Sequence, residues 1–280
     1  MSKGIIVLAQ NSEKTNYVDQ ACALALSIKH TNPNIPVSII TDDNIEEYAV
    51  ELFDNIIPIP WGDLANKSNW KVENRWKIYH CSPYNETIVL DTDMIVLQDI
   101  DHWWSFLKNY EVFFTTNVMT YRNTLLTSDF YRKTFNANNL PNFYSGFHYF
   151  KKSEFAHQFY SYLELVMNNW KHFYDIFLPI ERPQHVSVDV CAAIVSLLLD
   201  CTDKISNPLA TIPYFIHMKP HAQDWVTPSM YWQDNVNAYV SNNGTIKIGN
   251  HLQSGILHYT EKNFLENTNI IKKYRGLLNV

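Results

Sequence analysis

The order of apolar runs and helical patterns predicts an α/β fold, a parallel sheet covered by helices. Three observations carry that reading. Short aliphatic runs alternate with amphipathic segments through the first hundred residues, each run ends in a polar cluster, and 46% of the 280 residues are apolar against 18% charged. A chain of that length and composition buries a large core, which excludes disordered, collagenous and coiled-coil classes.

Residues 4–9 read as a first strand that ends at Gln10-Asn11-Ser12. Residues 17–28 place Ala21, Leu24, Ala25 and Ile28 on one helical face. A second strand over 37–40 closes at Thr41-Asp42-Asp43, and Asn44 caps a helix to about Phe53. Prolines confine a third strand, 55–60, to a sheet edge. A helix over 75–81 then precedes a buried strand at 87–90, followed by Asp91-Thr92-Asp93. The three polar clusters all follow strands, so they share the rim where such sheets bind ligands. Further on, strands are expected at 111–115, 146–150, 212–216, 245–248 and 255–259. Helices are expected from Ser153 to Asn169, over 187–199 and over 261–278. No repeat or linker divides the chain, so a single domain over 1–280 is expected.

Composition narrows the partners. Lys plus Arg is 22 and Asp plus Glu is 28, a net charge of −6 with no basic block, which disfavours a nucleic-acid partner. None of the seven glycines forms a G-x-G-x-x-G or a G-x-x-x-x-G-K-[ST] cradle, so any nucleotide is held another way. Cys22, Cys81, Cys191 and Cys201 lack C-x-x-C spacing and read as reduced thiols. With no apolar run of membrane-spanning or signal-peptide character, a soluble, cytoplasmic protein is expected.

The chemistry concentrates in Thr87-Ile88-Val89-Leu90-Asp91-Thr92-Asp93-Met94-Ile95-Val96-Leu97, where two carboxylates interrupt an aliphatic run. Burying an unpaired carboxylate costs several kcal/mol, roughly, and a like-charged neighbour adds to that cost. A divalent cation between the acids removes both penalties. In an extended chain the two lie on one face, about 6.6 Å apart, and both oxygens reach one hard cation.

Asp91-Thr92-Asp93 after a buried strand, together with a first strand ending at Ala9-Gln10-Asn11 and then Tyr17, resembles the nucleotide-sugar glycosyltransferases of GT-A fold. It is most like glycosyltransferase family 8, the glycogenin-like and lipopolysaccharide galactosyltransferase-like group. The resemblance implies a Rossmann-like, mixed, mainly parallel sheet, with a nucleotide-binding half at 1–100 and an acceptor- and sugar-binding half at 101–280. It implies transfer of a hexose from a UDP-sugar donor with Mn²⁺ (or Mg²⁺), with retention at the anomeric carbon. Asp93 and Asp91 would ligate the metal, Asp91 alternatively the donor ribose, with Thr92 between them at the donor. Ala9, Gln10, Asn11, Tyr17 and Asp42 would hold the uridine, and Arg75 and Lys77 would reach the donor's sugar or phosphates. His258, ending an apolar strand, would complete the metal shell, and Lys262, four residues on, would sit on the phosphates. The family's glycine and lysine-proline-tryptophan ending are missing there.

Asn142-Phe143-Tyr144-Ser145-Gly146-Phe147 resembles the family's acceptor-side loop, where Ser145 and Gly146 let backbone approach the sugar, although Tyr144 replaces an asparagine. Asp189 matches the acid of an aspartate-glutamine pair, with Val190 in place of the glutamine, and would bind sugar hydroxyls or lie beneath the anomeric carbon. His217-Met218-Lys219-Pro220-His221 reads as a surface loop, while Trp225 and Trp232 are candidate acceptor platforms. The acceptor itself, whether glycan, lipid-linked or protein, is open, as is the oligomeric state.

Two other readings compete. Asp91-Thr92-Asp93-Met94-Ile95 nearly fits the D-x-D-x-[TV] of haloacid-dehalogenase-like phosphatases, but these need a later acidic pair after a lysine. Asp42-Asp43, the adjacent aspartates here, precede the motif. The second is a catalytically inactive sugar- or nucleotide-binding protein of the same fold.

Overall fold

The computed structural model describes residues 2–68, 71–126, 132–217, 237–259 and 263–280. Strands among them are β1 (Lys3–Leu8), β2 (Val37–Ile40), β3 (Asn55–Ile57), β4 (Glu86–Leu90), β5 (Met94–Val96), β6 (Val112–Thr115) and β7 (Val118–Thr120). They continue with β8 (Tyr144–Lys151), β9 (Phe215–His217), β10 (Ala238–Val240), β11 (Ile246–Ile248), β12 (His251–Leu252) and β13 (Ile256–His258).

The main sheet runs β3-β2-β1-β4-β8-β6. Its first four strands are parallel, with Ile5 opposite Val37 and Ile88, while β8 lies antiparallel to both β4 and β6. The sheet is thus mixed and mainly parallel, and β3 is the edge strand its prolines predict.

The aliphatic runs are continuous because both faces are covered. Ile5, Val7, Ile88 and Leu90 pack under the Tyr17–Thr31 helix, which Asn16 caps by accepting from the Asp19 N–H. Ile6, Leu8 and Val89 face the Glu154–Asn168 and Val188–Leu198 helices. Ser153 caps the former by accepting from the Ala156 N–H at 3.1 Å.

A second sheet, β5-β13-β9-β7, lies beyond the rim. The run after the acid pair therefore does not continue β4. It crosses to β5, which pairs antiparallel with β13, and the apolar flanks of the motif belong to two different sheets. The extended geometry expected for Asp91-Thr92-Asp93 gives way to a bend at Thr92-Asp93.

Other elements depart from expectation. The helix expected from Asn44 is the single turn Glu47–Val50, without a side-chain cap. The final helix is split at Asn269, whose left-handed backbone (φ 53°, ψ 33°) separates Phe264–Thr268 from Ile270–Leu278. The four cysteines are free thiols. No described helix is long and apolar enough to cross a membrane.

Candidate active site

Asp91 leaves the end of β4, and its N–H donates to the Gly146 carbonyl on β8 at 3.1 Å. Gly146 suits this close approach, because a Cβ would lie 2.8 Å from Met94 Cε and 3.2 Å from Asp91 Oδ2. Antiparallel register brings His258 opposite Met94, which sets its imidazole beside Asp93. His258 Nε2 donates to Asp93 Oδ1 at 3.0 Å, and Asp93 is further anchored through its carbonyl by the Tyr259 N–H.

One ligand atom from each of Asp91, Asp93 and His258 lies within 4.8 Å of the other two. Two carboxylates and one imidazole suit Mn²⁺ or Mg²⁺. Ligands around a six-coordinate ion at roughly 2.1 Å stand about 3–4 Å apart, which this spacing meets with small side-chain adjustments. The residues therefore fit the cation that the sequence implies. Burial disfavours the His258 imidazolium, but the charge and hydrogen bond of Asp93, helped by Asp91 and Asp189, raise its pKa above the ordinary value. The nitrogen that a cation would take is thus engaged with Asp93.

Arg75 pairs with Asp91, both side chains being largely buried (14% and 18% exposed). Beside them a cleft of about 180 Å³ is lined by Val72, Arg75, Asp91, Ser145, Ser187 and Asp189 among others. Asp189 accepts from the Ser145 N–H at 2.8 Å and from the Ser145 hydroxyl, and it pairs with Arg132 at 2.8 Å. Burial alone would raise the Asp189 carboxyl, but the Arg132 charge and the Ser145 bonds hold it below the usual carboxylate range. Each of the three acids therefore has its own basic partner: Asp91 has Arg75, Asp93 has His258, and Asp189 has Arg132.

The remaining predicted residues fall into two groups. On the first-strand rim, Ala9 is fully buried, and Gln10 accepts from Asn74 Nδ2 at 2.8 Å. The Asn11 N–H donates to Asp43 at 2.7 Å, while the Asn11 side chain accepts from the Val18 N–H. Tyr17 opens the first helix half-buried, and exposed Asp42 accepts from the Ile59 N–H at 3.0 Å. Two others turn away from the cleft. Thr92 is buried and donates to Gln20 Oε1 at 3.0 Å. Lys77 is fully buried and gives its ammonium to the Gly62 carbonyl, anchoring the loop after β3. Lys262, Lys219, His221, Trp225 and Trp232 lie outside the described residues.

His217 corrects an expectation. It is not in a surface loop but buried on β9, in register with His258, with ring centroids 4.6 Å apart. Arg132 was not anticipated at all. It lies in the mixed segment Phe130-Tyr131-Arg132-Lys133-Thr134-Phe135, and its only signal was that the buried acid Asp189 needed a partner.

No protein-family model and no curated protein matches the sequence. Solved structures do. The galactosyltransferase LgtC, in complex with donor and acceptor sugar analogues, is 12% identical at a TM-score of 0.52, over 98% of this chain and 95% of that one. Mouse xyloside xylosyltransferase 1 is likewise 12% identical at 0.52, over 93% and 98%. The glycosyltransferase GlyE of Streptococcus pneumoniae TIGR4 is 13% identical at 0.50, over 98% of this chain, which spans 60% of GlyE. Element order, the mixed sheet and these likenesses agree: the chain has the GT-A glycosyltransferase fold.

Proposed function

We propose that the chain is a metal-dependent glycosyltransferase that moves a hexose from a UDP-sugar to an acceptor, with retention. The carrying observation is the meeting of Asp91, Asp93 and His258 at the edge of a cleft that also holds Arg75 and Asp189. Asp91, Asp93 and His258 would hold Mn²⁺ or Mg²⁺, which when bound would neutralise the diphosphate of the departing nucleotide. In this reading Arg75 faces the donor's phosphates or sugar, and Asp189 faces the sugar from the opposite wall. Gln10, Asn11, Tyr17 and Asp42 shape the uridine end, so residues 1–100 bind nucleotide and 101–280 bind sugar and acceptor. Lys262 belongs to the phosphate site by sequence. Retention rests on the resemblance to family 8, and the acceptor is a glycan, a lipid-linked sugar or a protein. The GT-A fold removes the support for a haloacid-dehalogenase-like phosphatase.

Slow hydrolysis of UDP-hexoses tests the reading without a known acceptor. Wild-type protein is expected to release UDP and free hexose only with Mn²⁺ or Mg²⁺ present. Asp93→Asn is expected to lower that rate by about 100-fold or more while the variant stays folded. An unaffected Asp93→Asn variant overturns the assignment of the site. Donor binding without turnover, even with acceptor extracts added, favours the inactive binding protein.

A further inference from the structure

Arg132 stands outside every motif that carries the resemblance, yet its side chain is the most completely held around the cleft. It is 7% exposed and begins the short Lys133–Ala137 helix. Its NH1 donates to Asp189 Oδ2 at 2.8 Å, its Nε donates to Asn142 Oδ1 at 2.6 Å, and its NH2 donates to the Phe143 carbonyl. The guanidinium plane is sandwiched, 3.7 Å from the Phe135 ring centroid and 3.9 Å from that of Tyr144. Its edge is thus fixed by three acceptors and both faces by rings, a geometry that a lysine cannot reproduce.

The opposite partner is held as firmly. Asp189 Oδ1 accepts twice from Ser145 and Oδ2 accepts from Arg132, so three of the four lone-pair sites of the carboxylate are filled. The side chain is still 23% exposed, and it lines the cleft shared with Arg75 and Asp91. A buried ion pair of this kind is a weak way to stabilise a fold. What it delivers is a carboxylate with one orientation and one remaining acceptor site. Tyr144, which departs from the family's asparagine, also finds its reason here, since its ring forms one face of the sandwich.

We infer that Arg132 is a positioning residue for the transfer reaction, locking Asp189 on the cleft wall as a fixed carboxylate facing the transferring sugar, with Phe135 and Tyr144 as the vice that holds it. This rests on the proposed glycosyltransferase reading. Asp189 then works by its charge and its one open acceptor site, since its other sites are committed to Ser145 and Arg132.

The test compares wild type, Arg132→Gln, Arg132→Lys, Asp189→Asn and the Arg132→Gln/Asp189→Asn double variant. It measures Mn²⁺-dependent UDP-hexose hydrolysis, UDP affinity and melting temperature. Arg132→Gln is expected to lower kcat about 100-fold while KM and the UDP Kd stay within about threefold, because the nucleotide contacts are elsewhere. Arg132→Lys is expected to fall nearly as far. The double variant is expected to be no slower than Asp189→Asn alone, since both changes remove one device. Phe135→Leu, which loosens the vice without touching an ionic group, covers the case in which Arg132→Gln fails to fold, and is expected to lower kcat about tenfold at constant KM. Losses that multiply in the double variant, or a folded Arg132→Gln or Phe135→Leu variant with wild-type kcat, overturn the inference alone. A wild type that hydrolyses no UDP-hexose overturns the function on which it rests.

Discussion

His148 shows how a residue behind the site sets its acid sensitivity. It lies on β8 between the two sheet neighbours β4 and β6, stacks on Phe114 at 5.0 Å, and donates from Nδ1 to the Ser145 carbonyl at 2.8 Å. Burial pushes its imidazole down to about 4. The folded protein therefore keeps it neutral while the unfolded chain takes a proton below about 6.5. Stability is intact above that pH and falls between about 6.5 and 4, by roughly 3 kcal/mol in all. His258 works with the opposite sign. Its raised pKa adds stability that is fully present below the ordinary imidazole value and fades as pH rises through the folded one. Denaturant titrations from pH 7.5 to 4 on wild type and His148→Phe separate the two. The variant keeps the stack and is expected to lack the steep loss, so its deficit relative to wild type shrinks on acidification. A deficit independent of pH would mean that His148 titrates alike in the folded and unfolded protein. At this scale the clustered acids were legible as a candidate site, because carboxylates in an aliphatic run stand out against their neighbours. Arg132 was not, because its hydrogen-bond partners lie 10 to 57 residues away.

Elements were legible in proportion to how much of their burial is written locally. β1, β2 and β4 are covered on both faces, so each is a continuous aliphatic run with boundaries readable to within a residue or two. The second sheet is built from three-residue strands whose pairing joins residues 94–96 to 256–258, and nothing within either segment announces the partner. The division of the last helix depends on one left-handed asparagine, a conformation that the surrounding amphipathic pattern conceals. The Glu154–Asn168 helix is the opposite case, announced by its cap. Its Ser153 hydroxyl satisfies an N–H that the first turn otherwise leaves without a partner. Ser153→Ala is expected to cost about 1 kcal/mol and lower the melting temperature by about 2–4 °C, with Ser153→Asp restoring most of it. Because Ser153 lines no part of the cleft, kcat for UDP-hexose hydrolysis is expected to be unchanged well below the melt. A change in kcat without a change in melting temperature would show that the helix couples to the cleft.

For the molecule as a whole, the question is how an acidic protein accepts an acidic donor. The chain carries a net charge of −6, and the cleft region adds three carboxylates. Each is already matched by Arg75, His258 or Arg132, so no uncommitted cation among these groups awaits a diphosphate. A nucleotide arriving alone meets acids and bases already paired with one another, with no free positive charge among them for its diphosphate. A divalent ion arriving alone must break the Asp91–Arg75 and Asp93–His258 contacts to reach its three ligands. Together, ion and diphosphate are close to neutral and satisfy one another, so binding is expected to be mutually dependent. The measurement is a thermal melt with UDP, with Mn²⁺ and with both. A ligand at 100 times its Kd stabilises the folded state by about 2.7 kcal/mol, which for a chain of this size raises the melting temperature by about 5 °C or more. That shift is expected only for the combination, and EDTA is expected to abolish it. Asp93→Asn, measured against its own ligand-free melting temperature, is expected to lose the combined shift. An equal shift with UDP in the presence of EDTA would place nucleotide affinity elsewhere on the rim and separate it from the acid cluster.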